Sequence, residues 1–377
     1  MPQKKILLLS VSAGAGHTRA AEAIRAWAMT RDRAVTAIHL DAMNCMGSVL
    51  RRIYTDLYIS LVNRAPTLWG CVYRITNEAR PDGWLQALRR RAERLFAAPL
   101  LREIAAMAPD VIICTHFQPA EVLSGMIARG SLHCPVWVQV TDFDLHRMWV
   151  HPHMAGYFAA SDEVALRMRE QGIPAAAIRV SGIPIMPAFS QPLERQVCAR
   201  EFGLDPQKKT FLLMGGGAGL GKLAAMAERL LVVQENFQLV VLAGKNSKAL
   251  AALQELAARH PGRLFAQGYT DKVERLMACA DLVITKPGGL TTSECLAMGL
   301  PMIVLAPIPG QEERNADFLL EQGVALKAWD ALGLEYRIRH LLAHPDKLQD
   351  MHLKAKALAR PRAAGTVLDT VLTKIEG

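Results

Sequence analysis

The sequence predicts an α/β protein with two domains, each built on a parallel sheet covered by helices. Short apolar runs alternate with amphipathic helical patterns from one end of the 377 residues to the other, as expected for parallel strands joined by helices. The chain is also longer than one compact core usually is. The alternation pauses between Ile185 and Lys209. Four prolines interrupt the pattern around that point: Pro184, Pro187, Pro192 and Pro206.

The predicted strands are mostly apolar runs bounded by turn-forming residues. In the first half they occupy 5–11, 35–40, 110–115, 136–141, 157–160 and 178–181. In the second half they occupy 210–214, 238–243, 264–267, 282–285 and 302–305. These patterns predict an N-terminal domain over 1–187, a linker over 188–208 and a C-terminal domain over 209–345. Helices over 346–377 are expected to pack back toward the N-terminal domain.

The composition narrows the class of protein. With 51% hydrophobic and 21% charged residues, both halves can bury a core. The seven cysteines form no CxxC pair and no Cys/His cluster, so reduced thiols in a cytosolic protein are expected. The first apolar run, at 6–11, is interpreted as a buried strand rather than a signal peptide. No run reaches the ~18 apolar residues of a membrane span, so the protein is expected to touch a membrane without crossing it.

The net charge of +9 fits nucleic acid, an anionic membrane or a phosphorylated ligand, so its location matters more than its size. The segment between Met46 and Ile104 contains ten arginines but only five acidic residues. Within that segment, Leu85, Leu88, Leu95 and Phe96 recur at helical spacing beside Arg89, Arg90, Arg91 and Arg94. A basic amphipathic helix of this kind suits an anionic bilayer; a solvated helix packed on its own domain is the alternative.

Two turns of the second half are typical of anion-binding sites. Residues 215–222 read GGGAGLGK and open a predicted helix, where close backbone approach and free amides favour a diphosphate over a merely structural turn. A P-loop would need Ser or Thr at position 223, which is Leu. Residues 281–301 predict a strand, a Pro-Gly-Gly turn and a helix beginning near Thr291. Glu294 would then lie in the first helical turn, either accepting hydrogen bonds from a ribose diol or capping the helix.

The motifs together resemble glycosyltransferase family 28. The second half is similar to the nucleotide-binding half of that family, which includes MurG. The first half resembles the monogalactosyldiacylglycerol synthases and the bacterial processive diacylglycerol glucosyltransferases. It does so through SAGAGHTRAAEAI, THFQPAE, TDFDLHRMWVHPHMAGYFAASDEV and SGIPIMPAF. The similarity extends over nearly the whole chain.

The resemblance implies a GT-B fold, with two Rossmann-like domains whose parallel sheets face a central cleft. It implies an inverting transfer of glucose or galactose from a UDP-sugar to 1,2-diacylglycerol, with no metal and no other cofactor. The protein would work peripherally on the cytoplasmic face of the membrane, in contact with anionic lipid and without nucleic acid. Neither the number of sugars added nor the oligomeric state follows from the resemblance.

The resemblance also assigns donor-binding residues. The diphosphate would lie on backbone groups of Gly215, Gly216, Gly217, Gly219, Gly288 and Gly289. The uracil would face Gly268 and Tyr269, where the family commonly has Phe, and the ribose would bind Glu294. Gln311, Glu312 and Asn315 would bind the hexose, unless they belong to an ordinary solvated loop.

His17 follows a Gly-Ala-Gly turn at the end of the first strand, which is the ligand-binding edge of a parallel sheet. A lone histidine is more often structural, but in the family it resembles this one is the proposed catalytic base. A neutral imidazole with a pKa near ~6.5 suits the removal of a proton from an acceptor hydroxyl.

The segment 141–146, TDFDLH, contains an Asp-x-Asp pattern that binds a metal in glycosyltransferases of another fold. It ends a strand of the acceptor domain, far from the expected diphosphate, so we do not interpret it as a metal site. Asp142, His146 and His151 are expected to shape the acceptor side or to orient His17, with a structural role as the alternative.

Two other functions remain open at this point. A UDP-N-acetylglucosamine 2-epimerase could share the architecture, but it would need no lipid-facing basic segment. A nucleic-acid-binding module would explain the charge, but it would need a basic groove with stacking aromatics rather than arginines along an apolar helix.

Overall fold

The computed structural model describes residues 3–12, 14–30, 35–45, 66–78, 98–215, 223–305 and 307–376. The chain divides into two compact units. The first unit contains 1–187, 308–311 and 362–377, and the second contains 188–307 and 312–361.

The first unit is a parallel six-stranded sheet covered by helices. Its strands are β1 (Lys4–Ser10), β2 (Val35–Asp41), β3 (Val111–Cys114), β4 (Val136–Gln139), β5 (Gly156–Ala159) and β6 (Ile178–Val180). Its helices are α1 (Ala15–Met29), α2 (Pro66–Glu78), α3 (98–107), α4 (Phe117–Ala128) and α5 (Asp162–Glu170). The strand order is β2-β1-β3-β4-β5-β6. The chain therefore changes direction across the sheet between β1 and β3, which creates a crevice at the carboxyl ends of these two strands.

The second unit repeats this architecture. Its strands are β7 (Lys209–Met214), β8 (Phe237–Leu242), β9 (Leu264–Gln267), β10 (Leu282–Thr285), β11 (Met302–Leu305) and β12 (Ala325–Ala328), in the order β12-β11-β10-β7-β8-β9. Its helices are α6 (Arg195–Glu201), α7 (Leu223–Leu231), α8 (Ser247–Arg259), α9 (Val273–Cys279), α10 (Gly289–Ala297), α11 (Gln311–Glu321), α12 (Ala331–Ala343) and α13 (Pro345–Ala357). Here the change of direction lies between β7 and β10.

The segment 188–208, predicted as a linker, belongs instead to the second unit. It contains α6, which packs against α9. Arg195 of α6 donates to the carboxylate of Asp281 at 2.9 Å, and the backbone N–H of Thr210 donates to the same carboxylate at 2.8 Å. This partly buried ion pair joins α6 to the starts of β7 and β10, so the segment is held against the second sheet.

The two helices predicted over 346–377 belong to different units. Helix α13 packs on α10 and α12 in the second unit. The last helix, α14 (Ala363–Glu376), packs on α1 and buries Val367 and Val371 completely in the first core. Gly365 lies against Trp27 of α1, since a Cβ there would be in van der Waals contact with the ring at 3.4 Å. The end of the chain thus completes the core that supports α1.

Candidate active site

Three loops of the first unit bring their side chains together at the carboxyl edge of the sheet. The loop after β1 leads into α1, whose N-cap is Gly14, and His17 lies in the first turn of this helix. Thr115 and His116 directly follow β3, and Thr141 lies just after β4. These three strands are neighbours in the sheet, so residues about a hundred positions apart in sequence come into contact.

The hydrogen bonds of His17 fix its tautomer. Its Nδ1 lies 3.0 Å from the carbonyl oxygen of Thr115. A carbonyl oxygen only accepts, so Nδ1 carries the ring hydrogen of the neutral imidazole and Nε2 carries the lone pair. The hydroxyl of Thr115 in turn donates to the carbonyl of His17 at 2.9 Å. The ring is therefore held with Nε2 as its basic nitrogen.

The environment keeps His17 neutral. Desolvation by burial lowers its pKa from 6.5 to about 4, and the hydrogen bond to Thr115 opposes this shift. The position of His17 in the first turn of α1 also disfavours protonation of its ring, because the positive end of the helix dipole repels an imidazolium cation. The imidazole is thus unprotonated far below neutral pH.

His116 is a second histidine at this site, which the sequence analysis did not single out. Its ring contacts that of His17 edge-on, with ring centroids 4.5 Å apart and planes at 87°. The backbone N–H of Gln118 donates to its Nδ1 at 3.1 Å, so Nδ1 holds the lone pair and Nε2 the hydrogen. Burial and the neighbouring His17 both lower its pKa well below the ordinary value. Its position directly after a buried strand was the sequence signal that could have revealed it.

His146 lies close to this site in a supporting position. It is buried, and its Nδ1 accepts from the backbone N–H of Met148, which caps a short helical turn at Arg147–Trp149. Its Nε2 lies 3.4 Å from the hydroxyl of Thr76 on α2. Trp149, at the end of the same turn, has its ring centroid 6.0 Å from that of His17. The geometry of His146 therefore suits a structural role, in which it stabilises the helical turn that places Trp149 beside His17.

The Asp-x-Asp pattern is split between two environments. Asp142 follows Thr141 and is half-buried. The carboxylate of Asp144 lies 3.3 Å from the guanidinium of Arg167 on α5. Across the described ranges, no group of three or more His, Cys, Asp or Glu is arranged to hold a metal ion.

The backbone of His151 is clamped by Tyr157 on β5. The Tyr157 hydroxyl accepts from the N–H of His151 at 2.8 Å and donates to its carbonyl oxygen at 2.7 Å. Burial raises the pKa of Tyr157 to about 12, so the hydroxyl keeps the hydrogen that it donates. The position of His151 in the first unit is therefore fixed through its main chain.

In the second unit, the loops after β7 and β10 flank the crevice where the strand order changes direction. Gly215 follows β7 directly, and Gly288 is the N-cap of α10. The first amides of a helix lack acceptors within the helix and favour an anion. Among the described residues, a Cβ on Gly288 would meet nothing within 4 Å, and the φ of −68° suits any residue. Packing against the described residues of this unit therefore does not require a glycine here, whereas close approach of a ligand would.

Helix α10 begins at Gly289, two residues before the predicted start at Thr291. Glu294 consequently lies in the second turn rather than the first, and the capping interpretation is wrong. Its side chain is half-buried on the same face as Thr291, three residues earlier. A half-buried carboxylate near the N-terminal end of α10 can accept hydrogen bonds from a ligand bound there.

The other described residues that are predicted to bind the donor sugar nucleotide also follow strands. Gly268 and Tyr269 come directly after β9, and the Tyr269 ring is largely exposed with the Lys245 ammonium 5.2 Å from its centroid. The turn before α11 contains Gly310, whose φ of +95° requires glycine. Within α11, two of the three proposed hexose-binding residues are half-buried and Asn315 is fully buried.

Several predicted site residues lie outside the described part of the chain. They are Gly216, Gly217 and Gly219 of the glycine-rich loop and Arg89, Arg90, Arg91 and Arg94 of the basic segment. Their proposed roles stay predictions.

Two family models together cover most of the sequence. The model for monogalactosyldiacylglycerol synthase matches residues 17–185, and the C-terminal domain model of glycosyltransferase family 28 matches residues 210–367. The first half of the chain thus matches the monogalactosyldiacylglycerol synthase model, and the second half matches the C-terminal domain model of glycosyltransferase family 28. The first match begins at His17 and includes the cluster around it, and the second includes the loops after β7 and β10. A chain that carries both domains is a glycosyltransferase.

Curated relatives match this glycosyltransferase over almost its full length. The processive diacylglycerol beta-glucosyltransferase of Bacillus pumilus is 28% identical over 372 residues, covering 98% of this chain and 94% of the relative. The protein of the same name from Bacillus subtilis is 27% identical over 376 residues, covering 99% and 96%.

Solved structures show the GT-B fold. MurG from Acinetobacter baumannii has a TM-score of 0.64 at 18% identity, covering 99% of this chain and 100% of that one. The MnaA–UDP structure from Staphylococcus aureus has a TM-score of 0.66 at 14% identity, covering 99% and 97%. A UDP-GlcNAc 2-epimerase from Neisseria meningitidis is also similar, with a TM-score of 0.60 at 13% identity, covering 98% and 100%. The fold by itself thus does not separate transferases from epimerases, whereas the family models do.

Proposed function

We propose that this glycosyltransferase moves glucose or galactose from a UDP-sugar to 1,2-diacylglycerol with inversion at the anomeric carbon. The monoglycosylated lipid is a further candidate acceptor. The observation that carries the proposal is the tautomer of His17, which leaves Nε2 as the basic nitrogen. His17 lies at the carboxyl edge of the first sheet. This part of the chain matches the monogalactosyldiacylglycerol synthase model. The names of the curated relatives support diacylglycerol as the acceptor.

The chemistry requires one base and one stabilised leaving group. The acceptor hydroxyl gives its proton to Nε2 of His17 while its oxygen attacks C1 of the sugar from the face opposite the diphosphate. The bond between C1 and the diphosphate oxygen breaks, and UDP leaves with that electron pair. Attack from the opposite face inverts the configuration, so an α-linked UDP-sugar would give a β-glycoside, the linkage in the relatives' names.

The second unit supplies features suited to the UDP-sugar. The amides at the start of α10 would stabilise the negative charge that grows on the departing diphosphate, without a metal ion. Glu294 would bind the ribose. Similar solved structures contain UDP or UDP-glucose as ligands, which supports a UDP-sugar donor.

The direct test is incubation with UDP-glucose or UDP-galactose and diacylglycerol vesicles, followed by identification of the lipid product and its anomeric configuration. We expect a β-linked glycolipid, formed equally well with a chelator present. An α-linked product would exclude inversion, and a rate restored after chelation only by Mg²⁺ or Mn²⁺ would exclude the metal-free mechanism. Turnover of UDP-sugar without acceptor, yielding an epimer, would exclude the transferase proposal.

The acid limb of kcat/KM is expected near pH 4 rather than near 6.5. A general base acts only when unprotonated, and burial lowers the pKa of His17 to about 4, so lowering the pH through 6.5 leaves Nε2 available. The measurement is kcat/KM between pH 4 and 8, with circular dichroism to exclude unfolding. An acid limb at 6.5 in folded protein would contradict the desolvated, neutral state of His17.

We further propose that the protein works peripherally at the cytoplasmic face of the membrane. None of the helices in the described ranges is long and apolar enough to cross a bilayer. Helix α2 exposes Leu68 and Ile75, two apolar side chains seven residues apart and thus on similar faces. Together with the predicted basic segment, these residues suit contact with anionic lipid.

Binding to vesicles should depend on anionic lipid and fall with added salt, because exposed charges are screened. Changing Arg89, Arg90, Arg91 and Arg94 together to Gln should release the protein in a sedimentation assay. The matched control removes the same charge from exposed arginines elsewhere: Arg169, Arg179, Arg200 and Arg259. Equal release by both variants would show that only net charge matters, and no release by the first would assign those arginines to a solvated face.

A further inference from the structure

The hydroxyl of Thr141 lies 2.9 Å from Nδ1 of His17, the nitrogen that already faces the carbonyl of Thr115 at 3.0 Å. Nδ1 carries a single hydrogen. The Thr115 carbonyl oxygen can only accept, so its hydrogen bond to Nδ1 uses that hydrogen. The Thr141 oxygen must therefore accept a share of the same hydrogen, which gives a three-centred hydrogen bond. Thr141 is buried, so its contact with the imidazole is shielded from water.

We propose that Thr141 is a positioning residue for His17, which orients the ring and stabilises its protonated form through the second hydrogen bond to Nδ1. The proposal rests on the assignment of His17 as the base. Thr141 touches neither donor nor acceptor in this proposal and acts through His17 alone.

The first effect is orientation. The χ2 angle of a histidine is broad and roughly two-fold, so one hydrogen bond leaves the ring free to rock. Two oxygen atoms from the ends of neighbouring strands, β3 and β4, restrict that motion from two directions. A flipped ring would place a carbon against both oxygens and lose both bonds. The branched side chain of Thr141 has few rotamers, so its hydroxyl stays in place.

The second effect concerns charge. When Nε2 takes the proton of the acceptor, the imidazole becomes a cation in a buried site, and hydrogen bonds from Nδ1 become charge-assisted. Two oxygen acceptors share that charge better than one. Two titratable groups of the described part of the chain lie near this pair: His116, whose lowered pKa keeps it neutral beside the His17 ring, and Asp142, which follows Thr141 in the chain. The Thr141 hydroxyl thus supports the protonated ring without adding a charge.

The test compares Thr141→Val, which removes the hydroxyl and keeps the shape, with Thr141→Ser, which keeps the hydroxyl. We expect Val to lower kcat about tenfold, the scale of one hydrogen bond to a charged group, with KM for the UDP-sugar unchanged. Its acid limb in kcat/KM should move to lower pH, because the protonated ring loses an acceptor. Ser should retain at least half of the parental kcat. Thr370→Val on α14 is the control, since the Thr370 hydroxyl bonds only within its helix in the described structure.

The proposal fails if Thr141→Val keeps kcat within twofold of the parent with an unchanged acid limb. It also fails if Ser loses as much activity as Val, since packing of the side chain would then be the cause. If Val does not fold, Thr141→Ala replaces it with the same expectations. An inactive His17→Asn beside a fully active Thr141→Val would reject only Thr141's role, whereas an active His17→Asn would reject the base itself.

Discussion

Replacing His17 by Asn is expected to lower kcat by about 10²- to 10⁴-fold while leaving UDP binding nearly intact. The Asn amide can still donate a hydrogen bond toward the Thr115 carbonyl, as Nδ1–H of His17 does at 3.0 Å. It cannot accept the proton of the acceptor hydroxyl. Because the residues proposed to bind the UDP part of the donor belong to the second unit, the loss should fall on turnover rather than on UDP affinity.

His39→Asn is the matched control, because His39 is also a half-buried histidine of the first unit whose ring bonds to a hydroxyl, that of Ser10 at 2.8 Å. Its kcat should stay close to the parental value. The measurements are kcat from the rate of lipid glycosylation and the dissociation constant of UDP from calorimetry. A folded His17→Asn protein with more than about a tenth of parental kcat would exclude His17 as the base.

Glu294→Ala is expected to weaken binding of the UDP-sugar by about 1 to 3 kcal/mol, or roughly 5- to 150-fold. The carboxylate lies half-buried on the second turn of α10, close to the helix start where the diphosphate would bind. Its removal would leave ribose hydroxyls without their acceptor in a partly desolvated site. The apparent KM for diacylglycerol should change little, since that substrate is assigned to the other unit.

Glu294→Gln separates charge from hydrogen bonding, because the amide oxygen still accepts and the variant should lose less affinity than Ala. The control for loss of a surface carboxylate is Glu255→Ala on α8, where the side chain is exposed. An affinity of Glu294→Ala for UDP within twofold of the parent would remove the ribose assignment. A loss equal to that of Glu255→Ala would show that only net charge is involved.

All eleven predicted strands are present, since most of them are apolar runs that can be recognised without knowledge of a partner strand. The twelfth, Ala325–Ala328, was missed because Ala-Leu-Lys-Ala contains no β-branched or aromatic residue. The linker prediction failed for a related reason. Four prolines suggested an irregular segment, but the ion pair between Arg195 and Asp281 holds α6 in the second core, and a pair 86 residues apart leaves no local pattern.

The sequence by itself determined the fold class, the family and the position of His17 at a strand end, because glycine-rich turns after apolar strands are local patterns. Only the tertiary structure decided which nitrogen of His17 is basic and which residues surround it. The contacts that decide this join His17 to Thr115 and Thr141, which are 98 and 124 residues away in sequence. The order of strands in the sheet brings these loops together, and the pKa of His17 falls to about 4 because the assembled loops bury it. Burial and hydrogen-bond geometry are properties of that assembly, so no local pattern in the chain carries them.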